Sequence, residues 1–525
     1  MGFRIMRFEI AFSHCPEGQR HLRRCAYSRT FIRQTVVALA FCAAVAAVAR
    51  ADTVPTTQPS VNLRVNAGKP LRTMAGGIGA SWHAIRALEP RVPARGSAWG
   101  ANPPPDDADA WNQIEGHARW LGLDFIRVEI DQRMYEPRRG AFDWDNPEML
   151  TLYRILDWCQ KNQADVYLQQ MWPAVDWNAL PGIDPIRSAP RSMEDFADGI
   201  ATLTERLLKQ KNYTCIRWLC IENEPQWILW RDAHGLLPIV DGLKAVRKAL
   251  DGRGVDLPLG GPDWTRLPPL VPREIDFDTA IGAYGIHSYR FADLEADMGR
   301  KQKIMSDWSA WAHARHKPFF MVEVGDGSAP GTYPGVLTLA EMFLRGLAAG
   351  IDGLSRYSFL NRGDIDGQWQ LVRTWDAPNN RFLKEIVPEP VPYFGYGIIT
   401  RLAAKHSDVL ASEVDGGGGK VLCGALRSPG GRITIWILNL GEARNLTVNV
   451  KDAANYTFYP YQVTSTLLGE PGFTLKPGEP IELQSGKTSL PLPLPRQSIT
   501  AVSNYHLRPE DPGITADKAR AEQKP

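Results

Sequence analysis

Cysteine is scarce in this chain and its net charge is close to nil. Seven cysteines are spread over 525 residues. No two have the paired spacing of a zinc ligand set, and the four beyond residue 51 (Cys159, Cys215, Cys220 and Cys423) are too few for a disulfide framework. Lys and Arg number 60 against 58 Asp and Glu, a formal charge of +2. No electrostatic footprint therefore calls for nucleic acid or an anionic membrane as partner. The apolar run at 35–49 falls short of the roughly 20 residues that a bilayer-spanning helix needs. A Gly-rich phosphate loop after the first strand is missing, and so is a helical pair of histidines spaced to hold zinc. What is plentiful is tryptophan. Many of the 17 stand beside turn residues rather than inside apolar periodic runs, a placement suited to flat ligand-stacking surfaces.

The apolar run belongs to a targeting signal. Basic residues up to Arg33, the run itself and Ala49-Arg50-Ala51 as a small-x-small cleavage site make residues 1–51 a secretory signal peptide, with Met6 as an alternative start. The rival readings are a membrane anchor, for which the run is short, and a lipoprotein, for which Phe41 before Cys42 is too bulky. Cleavage removes eight Arg and two Glu, which takes the formal charge from +2 to −4. The mature protein is expected to start at Asp52, outside the cytoplasm (extracellular or periplasmic) and free of the membrane.

Eight short apolar runs alternate with helix-like segments, at 73–79, 125–130, 164–171, 216–221, 257–261, 283–287, 319–324 and 353–359. Eight βα units predict a (β/α)8 TIM barrel over residues 71–394, with helices over 193–209, capped by Ser192, and 337–349. Beyond it the texture changes to short β-branched or alternating runs at 421–426, 432–440, 446–450, 456–461 and 498–505, separated by Gly, Pro and Asn. That pattern predicts an antiparallel β-sandwich over residues 395–508, with residues 416–419 as a hairpin tip. Residues 52–70 hold a strand able to pair into the same sandwich, and the charged, Pro-bearing tail 509–525 is expected to be disordered.

In such a barrel the reactive groups sit at the C-terminal ends of the strands. The fourth run leads into Glu222-Asn223-Glu224-Pro225, and Phe319-Phe320-Met321-Val322 leads into Glu323. A carboxylate entering a barrel mouth from that apolar run has to be paired or functional. Two carboxyl groups about 5 to 5.5 Å apart are what hydrolysis of a glycosidic bond with retention requires. Aromatics recur after strand ends as Trp82 and His83, Trp172, Trp227 and Trp230, Trp264, Trp369 and Trp375. As a set they fit a cleft with sugar subsites, although core packing explains any one of them as well. Asp364, Asp366 and Gln368 could hydrogen-bond a terminal sugar or satisfy their own loop. Glu222 competes with Glu224, since strand alternation sends both to one side.

Asn223-Glu224-Pro225, His287-Ser288-Tyr289 and Glu323, in that order after strands four, six and seven, resemble the pattern of clan A glycoside hydrolases. The trailing sandwich is similar to that of families 30 and 39, and family 5 shares the barrel. The resemblance implies Glu224 as general acid/base and Glu323 as nucleophile. It further implies Asn223 on the sugar 2-hydroxyl, Tyr289 and Arg127 holding the nucleophile ionised, and His287 lining the pocket. By the residues alone, Arg127 could equally be a structural ion-pair partner and His287 a core histidine. The sequence departs from many relatives at strand eight, with Arg356-Tyr357 in place of a Trp, and at Glu323-Val324-Gly325-Asp326.

The function expected is a retaining glycoside hydrolase acting on β-linked glycans, plant or microbial polysaccharide or oligosaccharide. It needs no metal or cofactor. The alternatives are a non-catalytic glycan-binding protein on the same scaffold and a metal-dependent hydrolase using His83, His287 and the glutamates. The secretory reading is checked directly: N-terminal sequencing of protein recovered from culture medium or periplasm should begin at Asp52. Uncleaved protein in the membrane fraction would establish the anchor instead.

Overall fold

The computed structural model describes residues 60–84, 102–171, 175–185, 187–225, 239–265, 279–291, 297–360, 369–376, 379, 381–452, 456–483 and 489–513. A first long strand, β1 (Val61–Thr73), precedes eight parallel strands closed into a barrel. These are β2 (Ile78–His83), β3 (Phe125–Ile130), β4 (Asp165–Gln170), β5 (Ile216–Cys220), β6 (Leu259–Trp264), β7 (Ala283–Arg290), β8 (Phe319–Asp326) and β9 (Gly353–Arg356). Seven of the eight expected runs overlap their strands closely. The first does not: residues up to Thr73 are spent on β1, where the Thr73 hydroxyl reaches Asp408 at 2.7 Å, and the barrel strand starts only after Gly76 and Gly77.

Alternation along the barrel strands separates two cores. Ile126, Val128, Leu168, Leu219, Ile286, Met321 and Leu354 face outward into one large core shared with the helices. Phe125, Tyr167, Trp218, Cys220, Ala283, Phe320 and Val322 face inward as a separate plug. Phe320 packs edge-on against Trp218 at 4.6 Å and stacks on Phe125 at 5.1 Å. The plug closes the barrel from below, so a polar layer above it can open only at the C-terminal ends of the strands. The helices follow the expected signals. Ser192 caps Met193–Glu205, whose last turn widens into a π-type turn over Arg206–Gln210, and the helix expected at 337–349 begins earlier, as Tyr333–Ala349, with Thr332 as its cap.

After the barrel come a hairpin, β10 (Val372–Asp376) with β11 (Arg381–Pro388), and a helix at Pro390–Thr400. That helix spans the expected 394/395 domain boundary, because its buried face belongs to the barrel's core. The second layer comprises β12 (Asp408–Asp415), β13 (Val421–Arg427), β14 (Ile433–Asn439), β15 (Arg444–Lys451), β16 (Thr457–Val463), β17 (Ile481–Glu482), β18 (Ser489–Leu494) and β19 (Ser498–Ser503). With β1 they form one sheet in the order β17-β16-β19-β14-β13-β12-β1-β15-β18. β1 runs antiparallel to β12 and parallel to β15, so residues 61–73 do belong to this domain. Phe458 of β16 and Leu490 of β18, near opposite edges, share one core, which requires the sheet to fold over on itself as a sandwich.

β18 escaped the sequence reading because of Pro491 and Pro493. It is an edge strand, bonded only to β15, and both prolines occupy its exposed positions, where a missing N–H costs no ladder bond. The described part of the tail is anchored, contrary to expectation. The buried Arg401 guanidinium donates to the carbonyls of Trp120 (2.9 Å), Arg508 (3.0 Å), Pro509 (3.3 Å) and Asp511 (2.5 Å). Among the described residues no helix is long and apolar enough to cross a membrane.

Arg401→Met should therefore release the 508–511 segment and leave several buried carbonyls unpaired. The expected result is a loss on the order of 3 kcal/mol in urea unfolding, with new proteolytic cleavage near residue 510. An unchanged cleavage pattern would show that the tail is held by other contacts.

Candidate active site

β3 reads Phe-Ile-Arg-Val-Glu-Ile, and its inward positions climb from the plug residue Phe125 through Arg127 to Glu129. Arg127 is fully buried at the centre of a network that joins β3, the segment after β5, β6 and β8. Its guanidinium pairs with Glu129, donates to Asn223 Oδ1 at 2.6 Å, and lies 3.4 Å from both Asp263 Oδ2 and Glu323 Oε2. Burial by itself would lower its proton affinity, but Glu129, Glu323 and Asp263 more than reverse that and keep it charged. Glu129 in turn holds the Nδ1 of His83, the last residue of β2.

Glu323 reaches the mouth through an irregularity. In the β7–β8 register Ile286 pairs with Met321 and His287 with Glu323, so Val322 is passed over as a bulge. Val322 belongs to the inward plug, and strict alternation would turn the next side chain outward. The bulge sends Glu323 inward as well. There the Tyr289 hydroxyl donates to its Oε1. Burial pushes the Tyr289 phenol far above its ordinary pKa, so it remains a donor.

Glu224 follows β5 with a positive φ of 48°, uncommon for a residue with a side chain, and is pinned there by its N–H to the Asp263 carbonyl at 3.1 Å. Its Oε1 accepts from His287 Nδ1 at 2.9 Å, and the same nitrogen lies 3.0 Å from Glu323 Oε2. Oxygens of the two carboxylates come within 4.8 Å of each other and of the imidazole. Glu222 lies two residues back, wholly buried and with neither oxygen bonded, and burial together with Asp263 pushes its pKa well up. Both causes favour its neutral form beneath the mouth. The sequence could not separate it from Glu224. Access now does, since the Glu224 side chain is 23% exposed.

The proton preferences of the pair differ. Burial tends to raise Glu224, but the His287 hydrogen bond and charge, then Thr265 and Arg127, outweigh it and lower the pKa. Burial raises Glu323 against the pull of His287 and Arg127. His287 would be lowered by burial, yet Glu323 and Asp263 lift it to about 10. This order is the reverse of a protonated acid at Glu224 and an ionised nucleophile at Glu323, and the proton that a general acid at Glu224 would need lies instead on His287 in the empty site.

Asn223, Arg127, His287, Tyr289 and both glutamates thus converge as expected, and Trp369 joins them, its ring 5.5 Å from Tyr289. Trp82 does not. Ser81 and His83 take the inward positions of β2, so Trp82 points outward and is fully buried against Trp111, Trp158 and Phe359. Trp264 likewise turns away from the mouth, edge-on to Trp308 at 6.0 Å. Trp375 is core, packed on Phe382. His83 lies in the barrel but is 1% exposed, so it braces Glu129 rather than facing substrate. Trp172, Trp227, Trp230, Asp364, Asp366 and Gln368 lie outside the described residues. Two members went unread, Glu129 and Asp263, while Tyr357, noted only as a departure at strand eight, lies between His83 (5.3 Å) and Trp369 (6.2 Å). Glu129 could have been found from its parity with Arg127. Asp263 was hidden by Pro262, which made the strand appear to stop at Gly261.

Arg127→Met should strand Glu129, Asp263 and Glu323 without their cation, at a cost of about 3–5 kcal/mol at neutral pH. Stranded carboxylates have folded pKa values raised above their unfolded ones. The penalty is then absent below the unfolded values near pH 4 and grows as pH rises. Urea titrations of both proteins at pH 7 and pH 4 check this, and a deficit that does not narrow at pH 4 would contradict it.

No family model matches the chain, and no curated protein matches it. Among solved structures it is similar to a GH30 endoxylanase from Clostridium papyrosolvens C71, with a TM-score of 0.58, 13% identity, and coverage of 84% of this chain and 99% of that one. It is also similar to the alpha-L-arabinofuranosidase of Thermotoga maritima (TM-score 0.55, 10% identity, 85% and 99% covered). A third is an endo-β1,6-glucanase (TM-score 0.55, 12% identity, 84% and 94% covered). At such identities the likeness establishes the fold alone: a closed eight-stranded parallel barrel with a largely antiparallel β-sheet domain, as in these solved structures.

Proposed function

We propose that the protein is a retaining O-glycosyl hydrolase that cleaves β-linked glycans by double displacement, with Glu224 as general acid/base and Glu323 as nucleophile. The observation that carries this reading is the approach of the two carboxylates within 4.8 Å across the barrel mouth. An approach that close supports the retaining geometry of roughly 5 to 5.5 Å over the roughly 6.5 to 9.5 Å of an inverting pair. Arg127 and Tyr289 converge on Glu323 and favour a carboxylate there when the anomeric carbon is attacked. Glu224, the more exposed of the two carboxylates, is the one that would meet the leaving oxygen. Asn223, held by Arg127 beside this pair, would bond the sugar 2-hydroxyl in this reading. Trp369, half-buried beside Tyr289, offers an aromatic face to a sugar ring. The solved relatives act, by their descriptions, on different glycans, so the sugar and linkage of this protein are a matter for a screen against xylan, β-glucan, mannan and aryl glycosides. Action outside the cytoplasm is part of the same proposal and rests on the signal at residues 1–51.

The two glutamates should fail differently. Glu323→Ala should lower hydrolysis by several orders of magnitude, with azide or formate restoring turnover and inverting the anomeric centre. Glu224→Ala should still glycosylate from an activated aryl glycoside and then stall, since no base remains for water, and azide should rescue that step with retention. Full activity of Glu224→Ala on natural glycans would sink the acid assignment. A glycan-binding protein without turnover would show no hydrolysis in the wild type.

A further inference from the structure

His287 has a carboxylate at each end of its ring. Nδ1 lies 2.9 Å from Glu224 and 3.0 Å from Glu323, while Nε2 lies 3.0 Å from Asp263 Oδ2, at an angle that makes it an ion pair more than a linear hydrogen bond. A neutral imidazole has one N–H and one acceptor nitrogen. With acceptors at both ends, the ring is satisfied only when both nitrogens carry protons or when one glutamate supplies the proton on the Nδ1 side. Asp263 is wholly buried beneath the ring, out of reach of any sugar. Its φ of 54° and the bond from its carbonyl to the Glu224 N–H fix it between β6 and the acid. The charged or titratable groups around the ring are Asp263 from β6, Glu224 after β5, Glu323 from β8, and Arg127 from β3 behind Asp263 and Glu323. Tyr289 acts through Glu323, and Glu222 adjoins Asp263 from below.

We infer that Asp263 is a positioning residue: by keeping a proton on Nε2 of His287 it makes Nδ1 the store from which Glu224 receives the proton it gives to the leaving oxygen. This rests on Glu224 being the general acid. It also explains why the empty site favours a charged His287 beside an ionised Glu224. As Glu323 engages the sugar, the ring loses one of its two acceptors on the Nδ1 side and its hold on that proton weakens. The Nδ1–H bond breaks and the Glu224 O–H bond forms, leaving a neutral ring with its remaining proton toward Asp263. Glu224 then protonates the glycosidic oxygen while the bond from that oxygen to the anomeric carbon breaks and Glu323 bonds to the carbon. In the second half Glu224 takes a proton from water, the hydroxide oxygen displaces Glu323, and the proton returns to Nδ1.

The test joins nitrogen NMR of 15N-histidine-labelled protein, with the His287 signals assigned by their loss in His287→Gln, to the pH profile of kcat/KM on an aryl glycoside. In the wild type, both His287 nitrogens should be protonated through neutral pH. In Asp263→Asn the ring should titrate at least about two pH units lower, the basic limb of kcat/KM should move down with it, and the rate at the optimum should fall about tenfold or more. Glu222→Gln is the control. It replaces a neutral buried acid by its isostere and should leave both the spectrum and the limbs in place. An unmoved His287 spectrum in Asp263→Asn, or a uniform loss of rate with unmoved limbs, would overturn the role of Asp263. The wild type alone is also decisive, because a ring lacking the Nε2 proton at pH 7 contradicts the inference even if the variant does not fold. Absence of any glycosidase activity would instead overturn the proposed function, and the hand-over to Glu224 with it, while leaving the spectrum to report on Asp263.

Discussion

The barrel gathers Glu129, Glu224, Asp263 and Glu323 around one guanidinium, Arg127, and one imidazole, His287, with Glu222 below them beside Asp263. Buried carboxylates are tolerated only when paired or neutral, so the architecture of the site is in large part the solution to this charge problem. Arg127 answers three of the acids at once, and Glu222 remains protonated. What is left is a small surplus of negative charge shared by Glu224, His287 and Glu323, of which Glu224 reaches solvent. Reactivity sits where compensation is incomplete. The same ion pairs are poor contributors to stability, because desolvation offsets most of their attraction.

Such a cluster needs a scaffold that holds it without help from water. Below it the aromatic plug closes the barrel. At the base, the Arg72 guanidinium reaches from β1 to Asp352 at 3.3 Å and to the Ile351 carbonyl at 2.6 Å, while Asp352 also accepts from His313 at 2.7 Å and from the Phe319 N–H at 2.9 Å. The strand that carries Glu323 is therefore tied at its start to the strand that enters from the sandwich. β14 adds a second brace. Its odd-numbered isoleucines, 433, 435 and 437, fill the sandwich core, and Trp436 and Leu438 on its other face join the barrel's core. The Trp436 indole donates to the Ile398 carbonyl at 2.9 Å, locking the sheet onto the helix at Pro390–Thr400. The sandwich thus supports the rear wall of the barrel.

Much of this was legible in the chain. Eight apolar runs followed by a change to short alternating strands determined the architecture, because burial on both faces of a parallel barrel and on one face of a sandwich leaves different periodicities. The strand-end positions of Glu224, Glu323, His287 and Tyr289 followed from the same runs, since polar residues that end an apolar strand of a closed barrel have only its mouth to occupy. Side-chain direction was not legible. Trp82 looked like a ligand platform until parity with Ser81 and His83 turned it into the core. Glu222 and Glu224 were equivalent until the chain left β5 with a positive φ and lifted only Glu224 to the opening. Glu323 faces inward only because Val322 is passed over in the register, and Asp263 came under His287 only because β6 continues through Pro262. Periodicity is a local property that hydrophobic burial imprints on sequence. Bulges, strand exits and ion pairs between residues far apart in the chain, such as Arg127 and Glu323 at 196 positions, arise when strands find their register, and the tertiary structure alone decides them.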